Sequence, residues 1–460
     1  MGDTHLSDAE AFTLHLERDP IFRSTIVAVV QLDRSPRWDR LTETIDRASR
    51  LEPNFRRRIS PAVGPLVPAR WVEDPDFDLT WHLRRIAVPS PGTFDAVLEF
   101  ARIAGMTAFD PVRPRWEFTL VEGLDGGRAA LVMKVHHALT DGIGGIQIAR
   151  HVVDLDRRGT RRAPIPEPWS PADHVAERAV DAVTHDVARV AGLLGGAARA
   201  LPGAVASWAR RPLGTWSEVA RNAGSVARFV RPLTSTLSPV MTERRLGWRY
   251  HALDVPLTGL KAAAAMADGT LNDAFLAGIA GGMARYHRDR GTTVEELMVT
   301  MPISVRRPDD PPGGNRITLV RLPLPIGDHH PISRMIAIDR STARWRAEPA
   351  VAWNESIAGA LNLLPTAVTA GLLRHVDLLA SNVPGFDAPV YVAGSRVESF
   401  HAFGPTLGTA VNVTLMSYRE ICHLGVTTDT GAVDDADHLV RCLDDSFTDL
   451  TNLARARVDR

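Results

Sequence analysis

The sequence predicts an α/β protein of two lobes, each a mixed sheet with helices, and three observations support this prediction. The chain has 460 residues, which is more than one compact domain usually holds. Strand-like β-branched runs alternate with segments of helical apolar spacing in both halves. Between these halves the chain is rich in Ala, Gly and Arg. We therefore predict an N-terminal lobe over 1–172, a helical connector over 173–240 and a C-terminal lobe over 241–460.

The predicted elements follow from local patterns. In the N-terminal lobe, β-branched or apolar runs predict strands over 24–32 and 129–136, and apolar residues at helical spacing predict helices over 38–50 and 142–155. In the C-terminal lobe the same criteria predict helices over 272–286 and 435–453. They predict strands over 249–255, 297–303, 316–324, 390–392, 410–418 and 421–428.

Composition excludes several classes of protein. The formal net charge is −1, whereas nucleic-acid-binding proteins usually carry a basic excess. The two cysteines, Cys422 and Cys442, are too few for a disulfide framework or a four-cysteine zinc site, so a reducing compartment is expected. The N-terminus lacks the basic and apolar regions of a signal peptide. The uncharged stretches 356–373 and 399–418 are too short or too polar to cross a membrane, and the first is expected to form buried helices broken at Pro365.

The connector has its own composition, with seven arginines and two acidic residues over 185–231. It predicts two or three amphipathic helices. They would either attach to an anionic lipid surface or pack across the two lobes, and both interpretations stay open.

The segment 135–142 carries the most informative cluster of polar residues. His136 and His137 stand at the end of a predicted strand, Asp141 follows four residues after His137, and Gly142 opens a predicted helix. Adjacent side chains on an extended backbone point to opposite faces, so only one histidine can face a given pocket. Asp141 lies where it can cap the helix or hold an arginine.

A histidine at this position can act as a general base toward a hydroxyl, amine or thiol. The Gly-x-Ser-x-Gly pattern is absent, and neither cysteine stands near a histidine in a family-type pattern. The residues therefore favour direct transfer between two bound substrates, without a covalent enzyme intermediate. A purely structural histidine pair stays open as the alternative. No metal is expected, because His-Glu-x-x-His is absent and the two histidines face opposite ways.

The segment 136–142 resembles the His-His-x-x-x-Asp-Gly motif of CoA-dependent acyltransferases, which include chloramphenicol acetyltransferase, carnitine acyltransferases and peptide synthetase condensation domains. Six further segments resemble motifs of one family, the bacterial wax ester synthase/diacylglycerol acyltransferase family. These segments are 110–117, 121–124, 271–273, 301–306, 314–315 and 381–385. Three positions depart from that family's pattern. Arg115 replaces the usual Leu of its Pro-Leu-Trp element, Phe386 stands where proline is common, and Arg23 after Phe22 places a charge where the family is often apolar. These departures concern the choice of acceptor and the level of activity rather than the base.

The resemblance implies two chloramphenicol-acetyltransferase-like lobes with a substrate tunnel between them. It implies an O-acyltransferase that moves a long-chain acyl group from acyl-CoA to diacylglycerol or a fatty alcohol, with His137 as general base. No cofactor is expected, since acyl-CoA is a substrate. The expected partners are acyl-CoA, a lipid alcohol and a lipid surface or lipid droplet, and the expected assembly is a monomer or weak dimer. The expected location is the cytoplasm, either free or peripheral on the inner membrane or lipid droplets.

The family's motifs also suggest residues that orient or bind the substrate, each with a structural alternative. His136 is expected to orient or pack, Asp141 to pair with an arginine, and Gly142 to open the helix beside the base. Pro114 and Trp116 would form either a substrate wall or a packing corner.

The corresponding residues of the C-terminal lobe follow the same logic. Asn272 and Asp273 would contact substrate or cap a helix, since Thr270 and Asp273 form a capping-box pattern. Ser381 and Asn382 would line the tunnel or stabilise a turn before the next proline.

Two other functions stay open. The first is a condensation-type or polyketide-associated acyltransferase that uses a carrier-bound acyl group, and the absence of a fused carrier motif favours free acyl-CoA instead. The second is a non-catalytic, lipid-binding member of the fold, which the retained His137 and Asp141 argue against.

Overall fold

A computed structural model describes residues 5–60, 69–140, 142–159, 233–304, 317–327, 330–346, 366–371 and 373–458. Asp141 and most of the predicted connector, including its arginine-rich stretch, lie outside the described residues. The amphipathic-helix and lipid-surface interpretations of the connector therefore stay predictions.

Two sheets organise the described chain. The first has the strand order β4-β5-β6-β1-β13-β12-β7. Its strands are β1 Thr25–Leu32, β4 Leu83–Ala87, β5 Trp116–Glu122, β6 Ala129–His136, β7 Val153–Asp154, β12 Tyr391–Val392 and β13 Ser395–Phe403. The second has the order β10-β9-β11-β14-β15-β8. Its strands are β8 Trp248–Pro256, β9 Glu296–Ser304, β10 Ile317–Pro325, β11 Leu378–Phe386, β14 Val411–Tyr418 and β15 Ile421–Asp429.

Helices cover these sheets, and a small ribbon of β2 Arg57–Ser60 and β3 Arg70–Glu73 stands apart. The helices are α1 Asp8–Leu16, α2 Trp38–Leu51, α3 Leu79–His82, α4 Phe94–Met106, α5 Gly142–Val152, α6 Leu257–Ala265, α7 Leu271–Asp289, α8 Pro331–Arg346, α9 Thr366–Gly371 and α10 Ala436–Val458. The architecture confirms the predicted α/β class with two mixed lobes. Helix α9 begins directly after Pro365, where the sequence predicts a break.

The first sheet is completed by strands from the far end of the chain. Strand β13 pairs antiparallel with β1, so that Val29 stands opposite His401. The sequence patterns did not predict a strand over 395–403, because that partner lies more than 350 residues away along the chain. This pairing places strands from the C-terminal half of the chain in the first sheet, and side chains of both sheets surround one cavity.

Strand β11 corrects the interpretation of Ser381 and Asn382 as residues of a turn. Both lie within a nine-residue strand that runs parallel to β14. The pairing register shifts after Val383, and Pro384 is exposed at this irregularity. A proline is compatible with a strand at such a break, because its missing N–H leaves no ladder hydrogen bond unmade.

In the C-terminal lobe α7 packs closely against α10. A Cβ added at Gly278 would stand 2.1 Å from Phe447 Cε1, so the two helices meet only because this residue has no side chain. Most residues of α7 are buried accordingly. Among the helices that the structure describes, none has the length and apolar character needed to cross a membrane.

Candidate active site

The histidine pair lies at the end of β6, where two backbone hydrogen bonds hold it. The His136 N–H donates to the Arg115 carbonyl at 3.0 Å, and the His137 N–H donates to the Ser24 carbonyl at 2.8 Å. His136 is fully buried on one face, whereas His137 is half-buried and lines an internal cavity on the other. The opposite orientations follow from the alternation of an extended backbone.

The buried histidine is fixed by partners on both ring nitrogens. Its Nδ1 accepts a hydrogen bond from the Ala138 N–H at 3.0 Å, which assigns the proton to Nε2. That Nε2–H then donates to Glu17 Oε2 at 2.9 Å. Burial lowers the pKa of His136, in agreement with a neutral ring. His136 is therefore held in one tautomer and one orientation.

The Glu17 carboxylate is the shared acceptor of this hydrogen-bond network. Its Oε2 accepts from the Arg115 guanidinium at 3.1 Å as well as from His136, and its Oε1 accepts from the Ser24 N–H at 3.2 Å. Burial raises the pKa of Glu17, but the His136 hydrogen bond, attraction to the protonated form of that ring, the Ser24 hydrogen bond and the Arg115 charge together outweigh it and lower this pKa to about 2. Arg115, the residue that departs from the Pro-Leu-Trp element, is thus the counter-charge of a half-buried carboxylate.

The cavity beside His137 has a volume of about 140 Å³ and a largely apolar wall. It lies where the two sheets approach each other. From the first sheet and α5 its lining residues are Ile26, Ala28, Phe118, Met133, Val135, Gly145, Ile146, Ile148, Ala149, Val152, Phe400 and Ala402. From the second sheet they are Pro302, Leu379, Ser381, Val383, Asn412, Thr414 and Met416. Among the described lining residues, His137 carries the only ionisable side chain.

Ser381 is the predicted C-terminal residue that reaches this wall, and it lies in the same cavity as His137. Asn382 is half-buried on the same strand and is not among the described lining residues. Gly142 begins α5, the helix that follows the histidines and lines one side of the cavity.

Trp116 and Pro114 are both buried, and neither is among the described residues that line the cavity. The Trp116 indole stacks on His82 with ring centroids 4.6 Å apart, and its Nε1–H donates to the Phe55 carbonyl at 2.8 Å. The His82 Nδ1 in turn lies 2.7 Å from the Trp116 carbonyl oxygen. These contacts show a packing corner that anchors the start of β5, next to Arg115.

Asp273 and Asn272 lie at the start of α7. Asp273 Oδ2 accepts hydrogen bonds from the Thr270 N–H at 2.8 Å and the Thr270 hydroxyl at 2.6 Å, which completes a capping box. Asp273 is buried, and its Oδ1 has no partner among the described residues. Asn272 is half-buried at the second helical position. Neither residue is among the described lining residues of the cavity.

Three polar residues of the site are not predicted by the sequence analysis. Glu17 lies 119 positions before His136, and no spacing rule connects them. Asn412 and Thr414 line the cavity from β14, where the Thr414 hydroxyl donates to Asn412 Oδ1 at 3.1 Å. Their two-residue spacing on a predicted strand was the available signal, because alternate residues of a strand share a face.

Comparisons with known proteins agree with this architecture. The model of the wax ester synthase/diacylglycerol acyltransferase catalytic domain matches residues 6–275, and the model of the C-terminal domain of that family matches residues 313–451. The chain belongs to this family. The resemblance found in the sequence motifs is thereby confirmed, and the protein is an acyltransferase enzyme with an acyl donor and an acceptor as substrates.

Individual relatives cover nearly the whole chain. A putative diacylglycerol O-acyltransferase of Mycobacterium tuberculosis is 36% identical over 95% of this chain and 90% of its own length. The solved wax ester synthase/diacylglycerol acyltransferase of Marinobacter aquaeolei superposes with a TM-score of 0.63 at 19% identity, covering 98% of this chain and 100% of that one. A starter condensation domain of rhizomide synthetase has the same fold, with a TM-score of 0.60 at 12% identity and coverage of 98% and 94%.

Proposed function

We propose that this enzyme transfers a long-chain acyl group from acyl-CoA to the hydroxyl of diacylglycerol or a fatty alcohol. The observation that carries the proposal is the position of His137, the only ionisable side chain among the described residues of an apolar cavity between the sheets. The M. tuberculosis relative is named as a diacylglycerol O-acyltransferase, which favours a lipid acceptor.

The chemistry needs one proton carrier. The His137 imidazole removes the proton of the acceptor hydroxyl, and the resulting alkoxide attacks the thioester carbonyl. The carbon–sulfur bond of the tetrahedral intermediate then breaks, and the imidazolium returns its proton to the CoA thiolate. Both substrates are consumed in one transfer, with no covalent enzyme intermediate and no cofactor. General base catalysis of this kind contributes about 10²–10⁴-fold to the rate.

The remaining network supports the base indirectly. His136 and His137 share one short segment, so the fixed hydrogen bonds of His136 to Glu17 and Ala138 set the direction of the next residue. His136 is therefore a positioning residue in this proposal. Ser381 lines the same cavity from β11 and is proposed to contact the substrate.

The apolar wall suits an acyl chain, because burial of each methylene group contributes about 0.8 kcal/mol. A lipid acceptor implies that the enzyme meets a lipid surface, such as the inner membrane or a lipid droplet. We propose the cytoplasm as its location, with peripheral contact to that surface.

The test is release of free CoA from palmitoyl-CoA by the full chain, with diacylglycerol, hexadecanol or an amine as acceptor. The proposal expects release that depends on a hydroxyl acceptor, with the matching ester as product. Ester formation from an acyl carrier protein thioester, with none from palmitoyl-CoA, would identify a condensation-type donor instead. Failure of both donors with every acceptor would contradict acyl transfer to these lipids.

A further inference from the structure

Three side chains of different ligand type meet where α7 ends and α10 begins, and none of them is among the described residues that line the cavity beside His137. Asp289 is the last residue of α7, and His438 and Cys442 are one helical turn apart near the start of α10. The His438 Nε2 lies 3.0 Å from Asp289 Oδ2, and the Cys442 Sγ lies 3.7 Å from that Nε2 and 3.8 Å from that Oδ2. The three atoms form one compact triangle.

A nucleophile triad does not explain this arrangement. In a Cys-His-Asp triad the thiol and the carboxylate contact different ring nitrogens, so that the imidazole relays between them. Here both groups contact the same nitrogen, His438 Nε2. The three atoms converge on one point rather than forming a chain.

The triangle has the dimensions of a tetrahedral zinc site. Zinc binds nitrogen and oxygen at about 2.0 Å and thiolate sulfur at about 2.3 Å, which places N and O about 3.3 Å apart and sulfur about 3.5 Å from each. The three observed separations of 3.0, 3.7 and 3.8 Å depart from these values by a few tenths of an ångström. We infer that Asp289, His438 and Cys442 form a binding site for a zinc ion, whose fourth position is taken by water.

The surroundings support such a site. Cys442 is buried, whereas 27% of the His438 side chain and 49% of the Asp289 side chain are exposed, so an ion can enter from solvent. The His438 ring packs beside Tyr286 with centroids 5.9 Å apart. Close contact between α7 and α10 at Gly278 and Phe447 fixes the relative position of the two helices. A bound ion would therefore join two elements that are already in place.

A second group of potential ligands provides an internal comparison. Asp254 Oδ1 lies 3.0 Å from His401 Nε2 and 2.6 Å from His423 Nδ1, where β8, β13 and β15 meet. This group has no sulfur, and its carboxylate already bridges the two imidazoles. A metal held there would have only nitrogen and oxygen ligands from these residues.

The experiment is a cobalt titration of the full chain after treatment with EDTA. Cobalt(II) occupies zinc sites, and a thiolate ligand gives a sulfur-to-cobalt charge-transfer band that nitrogen and oxygen ligands do not give. We expect this band to saturate at one equivalent and to disappear when zinc is added. Cys442→Ser and His438→Ala should lose it, whereas Cys422→Ala, which removes the other thiol, should keep it.

Two results would overturn the inference. The first is the absence of a charge-transfer band at saturating cobalt in the wild-type protein. The second is a band that survives in Cys442→Ser. In either case the triangle is a closed set of hydrogen bonds, in which Asp289 accepts from the imidazole and the thiol. Acyl transfer does not enter this readout, so failure here is distinct from failure of the proposed function.

Discussion

Replacement of Glu17 by glutamine tests the network behind the histidine pair. The substitution keeps the shape of the side chain but removes the charge that Arg115 balances at 3.1 Å. The pKa of Glu17 is about 2 instead of 4.5, and each pKa unit corresponds to about 1.4 kcal/mol. The ionised carboxylate therefore contributes about 3 kcal/mol to folding at neutral pH. Part of the lowering comes from attraction to a protonated His136, which is neutral at pH 7, and a glutamine retains part of the hydrogen bonding, so this figure is an upper value.

The pH dependence gives the prediction its sign. Because folding lowers this pKa, the contribution is fully present above pH 4.5 and is lost as pH falls toward about 2. Urea denaturation of wild type and Glu17→Gln at pH 7 should thus differ by up to about 3 kcal/mol. The difference should shrink progressively between pH 4.5 and the lower pKa. A difference below about 0.5 kcal/mol at pH 7, or one that stays constant with pH, would refute this reasoning.

Three further substitutions test the elements around the site. Asp273→Ala removes the capping box with Thr270 and should lower the free energy of unfolding by about 1 kcal/mol in urea denaturation, whereas an unchanged midpoint would contradict the capping role. Gly425→Ala would place a Cβ 2.0 Å from the Ala402 carbonyl oxygen, forcing β15 and β13 apart, and should cost about 1–3 kcal/mol; a neutral effect would mean that the sheets separate freely. Gly145→Leu adds a side chain to the cavity wall, where a Cβ built on Gly145 has its nearest described neighbour, the Thr140 side chain, at 4.0 Å. The added side chain should lower CoA release from palmitoyl-CoA relative to hexanoyl-CoA. An unchanged ratio of the two rates would mean that the acyl chain binds elsewhere.

Local patterns predicted most of the elements that frame the site. The β-branched run before Leu32 and the apolar face after Gly142 are strong short-range signals, and the structure has a strand and a helix there. Likewise, the adjacent histidines at the end of a strand implied that one faces a cavity and one faces away. This follows from backbone geometry alone and needs no tertiary information.

The misses share a physical cause, which is contact between residues distant in sequence. Glu17 belongs to the site only because the end of α1 lies beside the end of β6, where Glu17 accepts a hydrogen bond from His136. Arg115 contacts the same carboxylate, so its role also depends on this long-range contact. Strand β11 was not predicted because it contains Pro384, and the structure accommodates this proline at a shift in the pairing register. Cys442 was set aside as lacking a family-type histidine pattern, although His438 stands four residues before it and contacts it. The third partner, Asp289, comes from another helix.

The central claim is that His137 is the base of acyl transfer, and the kcat/KM of His137→Ala measures it most directly. Palmitoyl-CoA and the best hydroxyl acceptor of the wild type are the substrates, and His151→Ala, on the half-exposed face of α5, is the matched control. We expect His137→Ala to lose at least about 100-fold, equivalent to about 3 kcal/mol of transition-state stabilisation, with an unchanged Tm. The control should retain wild-type activity. A His137→Ala enzyme that turns over within a few-fold of the wild type would contradict the account.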